Sequence, residues 1–301
     1  MLKCFLLFIV LLSLAGVLQA QSPQDATRDI WDTAFIKKRP AAKAPARRRT
    51  VRYKAVGKSQ VPAASDPASG PAMVGVTVWR LRPSKVTDEA EVRQLLHRQG
   101  EWTPERVGGG TPLSEGSKVQ LTIESPRAGY LYIFNRETYA NNTFGEPYLI
   151  FPTLALNGGD NKVSAGRVIE IPSSDDKPPY YTLKRSREDH TGESLTVIVS
   201  DKPLPDLSIS RGAIRISVEQ FDAYEKQWGA FTQQLELDSG AGTPMTSAEK
   251  AAAAGKEELT QEDSPPQTIY RVHAKPGQPL LLTIPLSISS EPDKPTPKPG
   301  S

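Results

Sequence analysis

Apolar residues recur along this chain mostly at every second position, the spacing of strands, and only locally at the three-to-four spacing of helices. The densest stretch is Gly129-Tyr130-Leu131-Tyr132-Ile133-Phe134-Asn135. Tyr130, Tyr132 and Phe134 fall on one face of a strand and Leu131 and Ile133 on the other, so both faces need cover. A helix competes over so short a run, but the aromatic content and the bracketing glycine and asparagine favour a central strand. Before it, Val119, Leu121 and Ile123 alternate with Gln120, Thr122 and Glu124, the pattern of a half-buried strand. Ser125-Pro126-Arg127-Ala128-Gly129 reads as a turn, which predicts that the two strands pair as a hairpin.

The same reading gives a first strand at residues 74–81, with Val74, Val76, Val78 and Arg80 on one face and Trp79 and Leu81 opposite. Further strands are expected at 148–151, 168–171, 180–183, 195–199 and 214–218, with a tight turn at 157–161. Two closing strands follow at 267–273 and 279–288, the second carrying the alternating set Leu280, Leu282, Ile284, Leu286 and Ile288. Three helices are predicted. One starts at Asp88 with Glu91 three residues on, as in a capping box, and carries Val92, Leu95 and Leu96. A second places Phe221, Tyr224, Trp228 and Phe231 on one stripe, and the third, over 248–254, is expected to be exposed. The sum is a mainly β protein, an antiparallel β-sandwich with a few peripheral helices and disordered N- and C-terminal tails.

Composition sets the boundaries. The chain has 301 residues, 27 of them proline, and a mean hydropathy of −0.42. Residues 1–20 have the charged start, short apolar run and small Ala20 of a signal peptide, with an uncleaved anchor as the alternative. That predicts an exported protein, periplasmic or secreted. The only cysteine, Cys4, lies in that segment, so disulfides and thiolate metal sites are not expected. Residues 21–72 read as a disordered Pro/Ala-rich linker, 73–288 as the sandwich and 289–301 as a disordered tail. Within the linker, Ile30 to Ile36 would make a short apolar helical face that docks on a partner, or else a loose scrap.

The net charge of +3 hides an asymmetry. Lys37, Lys38, Arg39, Lys43, Arg47, Arg48, Arg49, Arg52, Lys54 and Lys58 fall in one arm without a single acid, and the body beyond is acidic. The ten are candidate contacts to an anionic membrane or polysaccharide surface; a solvated spacer, or an arm folded back on the acidic body, is the alternative. Export makes nucleic acid an unsuitable target.

Candidate chemistry is sparse. His97, His190 and His273 have no second histidine at metal spacing and read as surface residues. No Gly-x-Ser-x-Gly elbow is present, and Glu188, Asp189 and His190 are adjacent without implying a triad. Asp160, Asp175 and Asp176 fit ordinary turns better than a calcium loop. No cofactor, metal or catalytic residue is assigned. Tyr139, Tyr148, Tyr180 and Tyr181 fall near predicted loops and are candidates for a binding surface.

Residues 117–204 resemble the bacterial domain-of-unknown-function family numbered 4384. The likeness is carried, in order, by Gly129 to Phe134, Leu149-Ile150-Phe151-Pro152, Asn161 to Gly166, Ile171-Pro172, Gly192-Glu193, Val197 to Ser200 and Lys202-Pro203-Leu204. The resemblance implies an extracytoplasmic β domain and brings no catalytic residues with it. The expected function is a non-catalytic binding or scaffold module of the bacterial cell envelope that holds a protein or glycan. The alternative is an extracytoplasmic hydrolase whose site is assembled from scattered residues.

Overall fold

The structure, a computed structural model, describes residues 35, 39–41, 51–56, 70–96 and 99–289. The signal segment, most of the basic arm, His97 and the tail beyond Ser289 lie outside the described residues. In chain order the strands are β1 (Tyr53–Val56), β2 (Ala72–Pro83), β3 (Gln94–Leu96), β4 (Gly100–Val107), β5 (Leu113–Ser114), β6 (Lys118–Glu124), β7 (Gly129–Tyr139) and β8 (Tyr148–Phe151). They continue with β9 (Lys162–Val163), β10 (Val168–Ile171), β11 (Tyr181–Thr182), β12 (His190–Ser200) and β13 (Ile214–Arg215). After helix α1 (Val218–Trp228) come β14 (Thr232–Leu237), helix α2 (Ser247–Ala253), β15 (Thr268–Val272) and β16 (Leu280–Ser289).

The strands form two sheets, antiparallel except where β16 meets β5. Sheet one runs β1-β14-β15-β2-β4-β3, with β6 along the other side of β2 and β10 and β11 beyond β6. Sheet two runs β13-β8-β7-β12-β16-β5, with β9 beside β7. The main core lies between the sheets. Val74, Val76, Leu121, Ile123, Tyr270 and Val272 from sheet one meet Leu131, Ile133, Val197, Val199, Leu280, Leu282 and Ile284 from sheet two. This is the expected sandwich, and the alternating set of β16 is buried on its inner side as its period requires.

The outer face of sheet two is closed by α1. Tyr132, Phe134, Ile198 and Leu281 pack against Phe221 and Tyr224, with Phe134 and Phe221 edge-on at 5.8 Å. Ser217 caps the helix by accepting from Gln220 N at 3.1 Å. Central strand β7 is therefore covered on both sides, as its sequence demands. Phe231, expected on the same stripe, lies past the helix end and packs on His273 instead.

Four expectations are corrected. First, β6 and β7 do not pair. They belong to different sheets, and 125–128 bridge the sandwich. Gly129 then lies flush against β12, where a Cβ would stand 2.5 Å from Ser200 O. Second, the helix at Asp88 is one 3-10 turn, Ala90–Val92, followed by β3, and Leu95 is 82% exposed. The Asp88 carboxylate does not cap a helix because other donors occupy it. Arg82 binds both of its oxygens at 2.8 Å, Lys85 N donates at 2.6 Å and Thr103 at 3.0 Å. Third, β6 is not half-buried. Gln120, Thr122 and Glu124 are buried as well: Gln120 Nε2 donates to Pro179 O at 2.7 Å, Trp79 Nε1 to Thr122 Oγ1 at 2.9 Å, and Arg39 Nη2 to Glu124 Oε2 at 2.7 Å. Helix α2 is also not exposed all round, since Glu249 and Ala252 are buried. Fourth, part of the presumed linker is structured. β1 pairs with β14 from Tyr53↔Leu237 to Val56↔Gln234, and Phe35, Arg39 and Tyr53 are buried.

The Asp88 cluster carries a stability prediction. The Arg82 guanidinium holds this carboxyl well below the usual carboxylate range. Its contribution is complete above the unfolded carboxylate value of about 4 and is lost as pH falls through the lower folded value. Asp88→Asn should lower stability by about 2 kcal/mol at neutral pH, because the Asp88 side chain is 3% exposed and loses its charge-assisted fork with Arg82, although Arg82 keeps Glu105 at 2.7 Å. Urea melts at neutral and acidic pH check this, and the gap between parent and variant should narrow in acid.

Candidate functional site

The ten basic residues do not form one surface. Lys37, Lys38, Lys43, Arg47, Arg48, Arg49 and Lys58 lie outside the described residues. Arg52 is exposed, and Lys54, exposed on β1, pairs with Asp238 at 2.8 Å. Arg39 faces no outer surface at all. Its guanidinium is buried and grips Glu124 through Nε–Oε1 at 3.3 Å and Nη2–Oε2 at 2.7 Å. The reason lies in β6, whose polar side puts Glu124 into the covered face of sheet one, where a carboxylate needs a cation.

The four tyrosines also separate. Tyr181 packs against the main core and donates to Ile150 O at 3.3 Å; burial pushes its phenol far up. Tyr180 lies under the Lys118 ammonium, 5.4 Å from the ring centre. Tyr139 and Tyr148 both lie toward the far end of sheet two, Tyr139 opposite His190 and Tyr148 opposite Asn135. There β7 and β12 are both eleven residues long and pair from Tyr130↔Ser200 to Tyr139↔His190.

This end of the ribbon has two sides. On one, Asn135, Glu137 and Tyr139 stand in register with Leu195, Glu193 and His190. Glu137 accepts from Tyr139 and from Ser186 Oγ, each at 2.7 Å. Glu193 accepts from Asn135 Nδ2 at 2.9 Å and lies 3.5 Å from His190 Nε2. Burial, opposed by Asn135 and His190, raises the Glu193 carboxyl above its ordinary value. Arg187 lies 3.9 Å over the Tyr139 ring and binds Asp189 in a fork at 2.5 and 2.7 Å. On the other side, Arg136 lies 5.0 Å from the Phe144 ring and donates to Gly145 O at 2.9 Å. Phe144 is 50% exposed there, while Tyr148, paired with Asn135, is 42% exposed on the first side.

His190, expected at the surface, is fully buried. Its Nε2 donates to Gly192 O at 2.8 Å, and Nδ1 accepts from Ser186 N at 3.1 Å. Ser186 Oγ is 3.5 Å from Nδ1 and sends its proton to Glu137. Ser186, His190 and Glu193 thus share the residue types of a hydrolytic triad but not its hydrogen-bond order. The ring ties the 184–190 loop to the bulge of β12 between His190 and Gly192.

A cleft of about 520 Å³ opens between α2 and the segment after β10. Glu170, buried on β10, accepts from Ser174 Oγ at 2.6 Å and Ser174 N at 2.8 Å. Lys250 Nζ reaches Glu170 at 3.3 Å and also bonds Ser174 Oγ. Neither cluster was legible locally, because residues 170 and 250 meet only when α2 docks on β10. The acids read as turn residues do that work: Asp176 accepts from Asn157 N at 2.9 Å and Ser173 N at 2.7 Å, and Asp160 from Lys162 N at 3.1 Å.

Compared with protein-family models, with curated proteins and with solved structures, the chain shows no significant match to any.

Proposed function

We propose that this chain is a non-catalytic binding or scaffold module of the bacterial cell envelope, exported by its N-terminal segment, and that the β7–β8 end of sheet two holds a protein or glycan partner. One observation carries the reading: at this hairpin end Tyr139, Tyr148 and Arg187 lie on one face of the ribbon and Arg136 with Phe144 on the other, and the Tyr148 and Phe144 rings are about half open to solvent. Aromatic and arginine side chains give large contact areas at small entropic cost and dominate binding hot spots. The ribbon beneath is anchored through the central strands, so the surface is pre-organised. The likeness of residues 117–204 to the 4384 family is in keeping with such a role and rests on its sequence motifs alone. The basic residues of the arm other than Arg39 add contact to an anionic envelope surface.

A hydrolase is the second reading, supported by Ser174, Lys250 and Glu170 on the floor of the cleft. A lysine acting there as base must first leave its ion pair with Glu170, which weighs against it. The test joins both readings. Phe144→Ala/Tyr148→Ala/Arg187→Ala should remain folded and lose, by about tenfold or more, capture of the envelope component that the parent retains. Equal capture by parent and variant, or turnover of ester, peptide or glycan substrates that Ser174→Ala abolishes, would replace the binding reading with the second.

A further inference from the structure

The covered face of sheet one contains a seat whose parts fit a short peptide. Gly75, near the start of β2, leaves a recess, since a Cβ there would stand 3.1 Å from Phe35 Cε1 and 2.9 Å from Pro266 Cγ. Phe35 is 3% exposed and packs with Tyr53, Leu235, Leu237 and Ile269. Tyr53 closes the rim by donating to Pro266 O at 2.6 Å. One turn on, Arg39 N donates to Phe35 O at 2.9 Å, and the Arg39 side chain meets Glu124, the cross-strand neighbour of Gly75. Its Nη1 also donates to Ser264 O at 3.2 Å. The backbone is clasped as well: Gln261 Nε2 donates to Arg39 O and Gln261 N to Pro40 O, each at 3.1 Å.

We infer that this face is a recognition site for a peptide with an aromatic residue four positions before an arginine–proline pair, and that Phe35, Arg39 and Pro40 occupy it as an intramolecular ligand. An aromatic recess, a buried carboxylate aimed at a guanidinium and main-chain clasps at the peptide backbone are together the elements of peptide recognition. All contacts fall within six residues of one stretch. Residues 42–50, which join that stretch to the body, contain no bulky apolar side chain. The occupant is therefore held by its own contacts, with tethering to raise its local concentration. The same contacts are open to a matching sequence on a second chain whenever the tethered copy leaves. The site lies on the other sheet from the hairpin end and does not rest on the function proposed for it.

The test keeps the full chain and places a specific protease site within residues 42–50. After cutting, the N-terminal fragment should co-elute with the body and be displaced by excess labelled peptide spanning residues 33–42. By fluorescence anisotropy the cut protein should bind that peptide, and the uncut chain at least about tenfold more weakly, because its seat is filled in cis. A peptide carrying Arg39→Met should bind at least about tenfold more weakly than the parent peptide, the size of a lost charge-assisted bond. Failure of the folded, cut body to bind peptide would overturn the inference, as would equal binding by cut and uncut chains or equal binding of the Arg39→Met peptide. Unfolding of the body on cutting would overturn it too, since the segment would then be part of the core and not a ligand.

Discussion

Removal of residues 268–289 should leave a chain that no longer unfolds cooperatively. β15 lies inside sheet one, bonded to β14 on one side and β2 on the other. β16 lies inside sheet two, bonded along eight positions to β12 and at its end to β5. The deletion therefore strips ladder partners from both sheets at once. It also removes Tyr270, Val272, Leu280, Leu282 and Ile284 from the main core. Each large buried apolar side chain contributes about 2–5 kcal/mol against truncation, so their sum exceeds the total stability of about 5–15 kcal/mol that a domain has. Circular dichroism during thermal and urea melts provides the measurement. A sigmoidal transition near the parent midpoint would mean that the sandwich does not depend on its last two strands.

Tyr132→Asp should be the most damaging single substitution considered. Tyr132 is 4% exposed, lies beside Phe134 and Ile198 under α1, and its hydroxyl accepts from Leu204 N at 3.0 Å. Aspartate at this site leaves a cavity, strands the Leu204 amide and buries a carboxyl among apolar side chains. The group then has to protonate or remain charged at a cost of several kcal/mol. Together these losses put the variant at least about 4 kcal/mol below the parent, enough to remove most of its folded population. Tyr132→Phe is the control. It keeps the ring, loses the one hydrogen bond and should cost about 1 kcal/mol. Soluble Tyr132→Asp protein with the parent's dichroism and urea midpoint would place β7 outside the core.

The fold class was legible because period two survives wherever one strand side is apolar. β7, β8, β10 and β16 follow from that signal with small boundary changes. β4 did not, since Glu101-Trp102-Thr103-Pro104-Glu105-Arg106 alternates little and includes a proline. Its place depends on pairing with β2 and β3. The polar side of β6 misled for a related reason: alternation marks a polar face without saying whether water or a protein layer covers it. Here the cover comes from distant residues, with Arg106 bonded to the buried Glu249 and Arg39 to Glu124. A basic residue in a proline-rich arm carries no local sign that its partner is a buried acid far along the chain. Of the hairpin end, the sequence showed Tyr139 and Tyr148 as candidates; Phe144, Arg136 and Arg187 become visible only when the register aligns β7 with β8 and β12.

The placement of β15 beside β2 also sets a timetable. Of the strand pairs that lock the sheets, β2 with β15 joins an early segment, and β12 with β16 a middle one, to the last described strands. Loop closure over such separations must precede the contacts that reward it, so neither sheet is complete while the ribosome still holds residues 268–289. The nascent chain therefore has no finished core until its last strands are made. A polypeptide that has to thread a narrow channel before folding gains time from such an arrangement, because the strands that would jam it are made last.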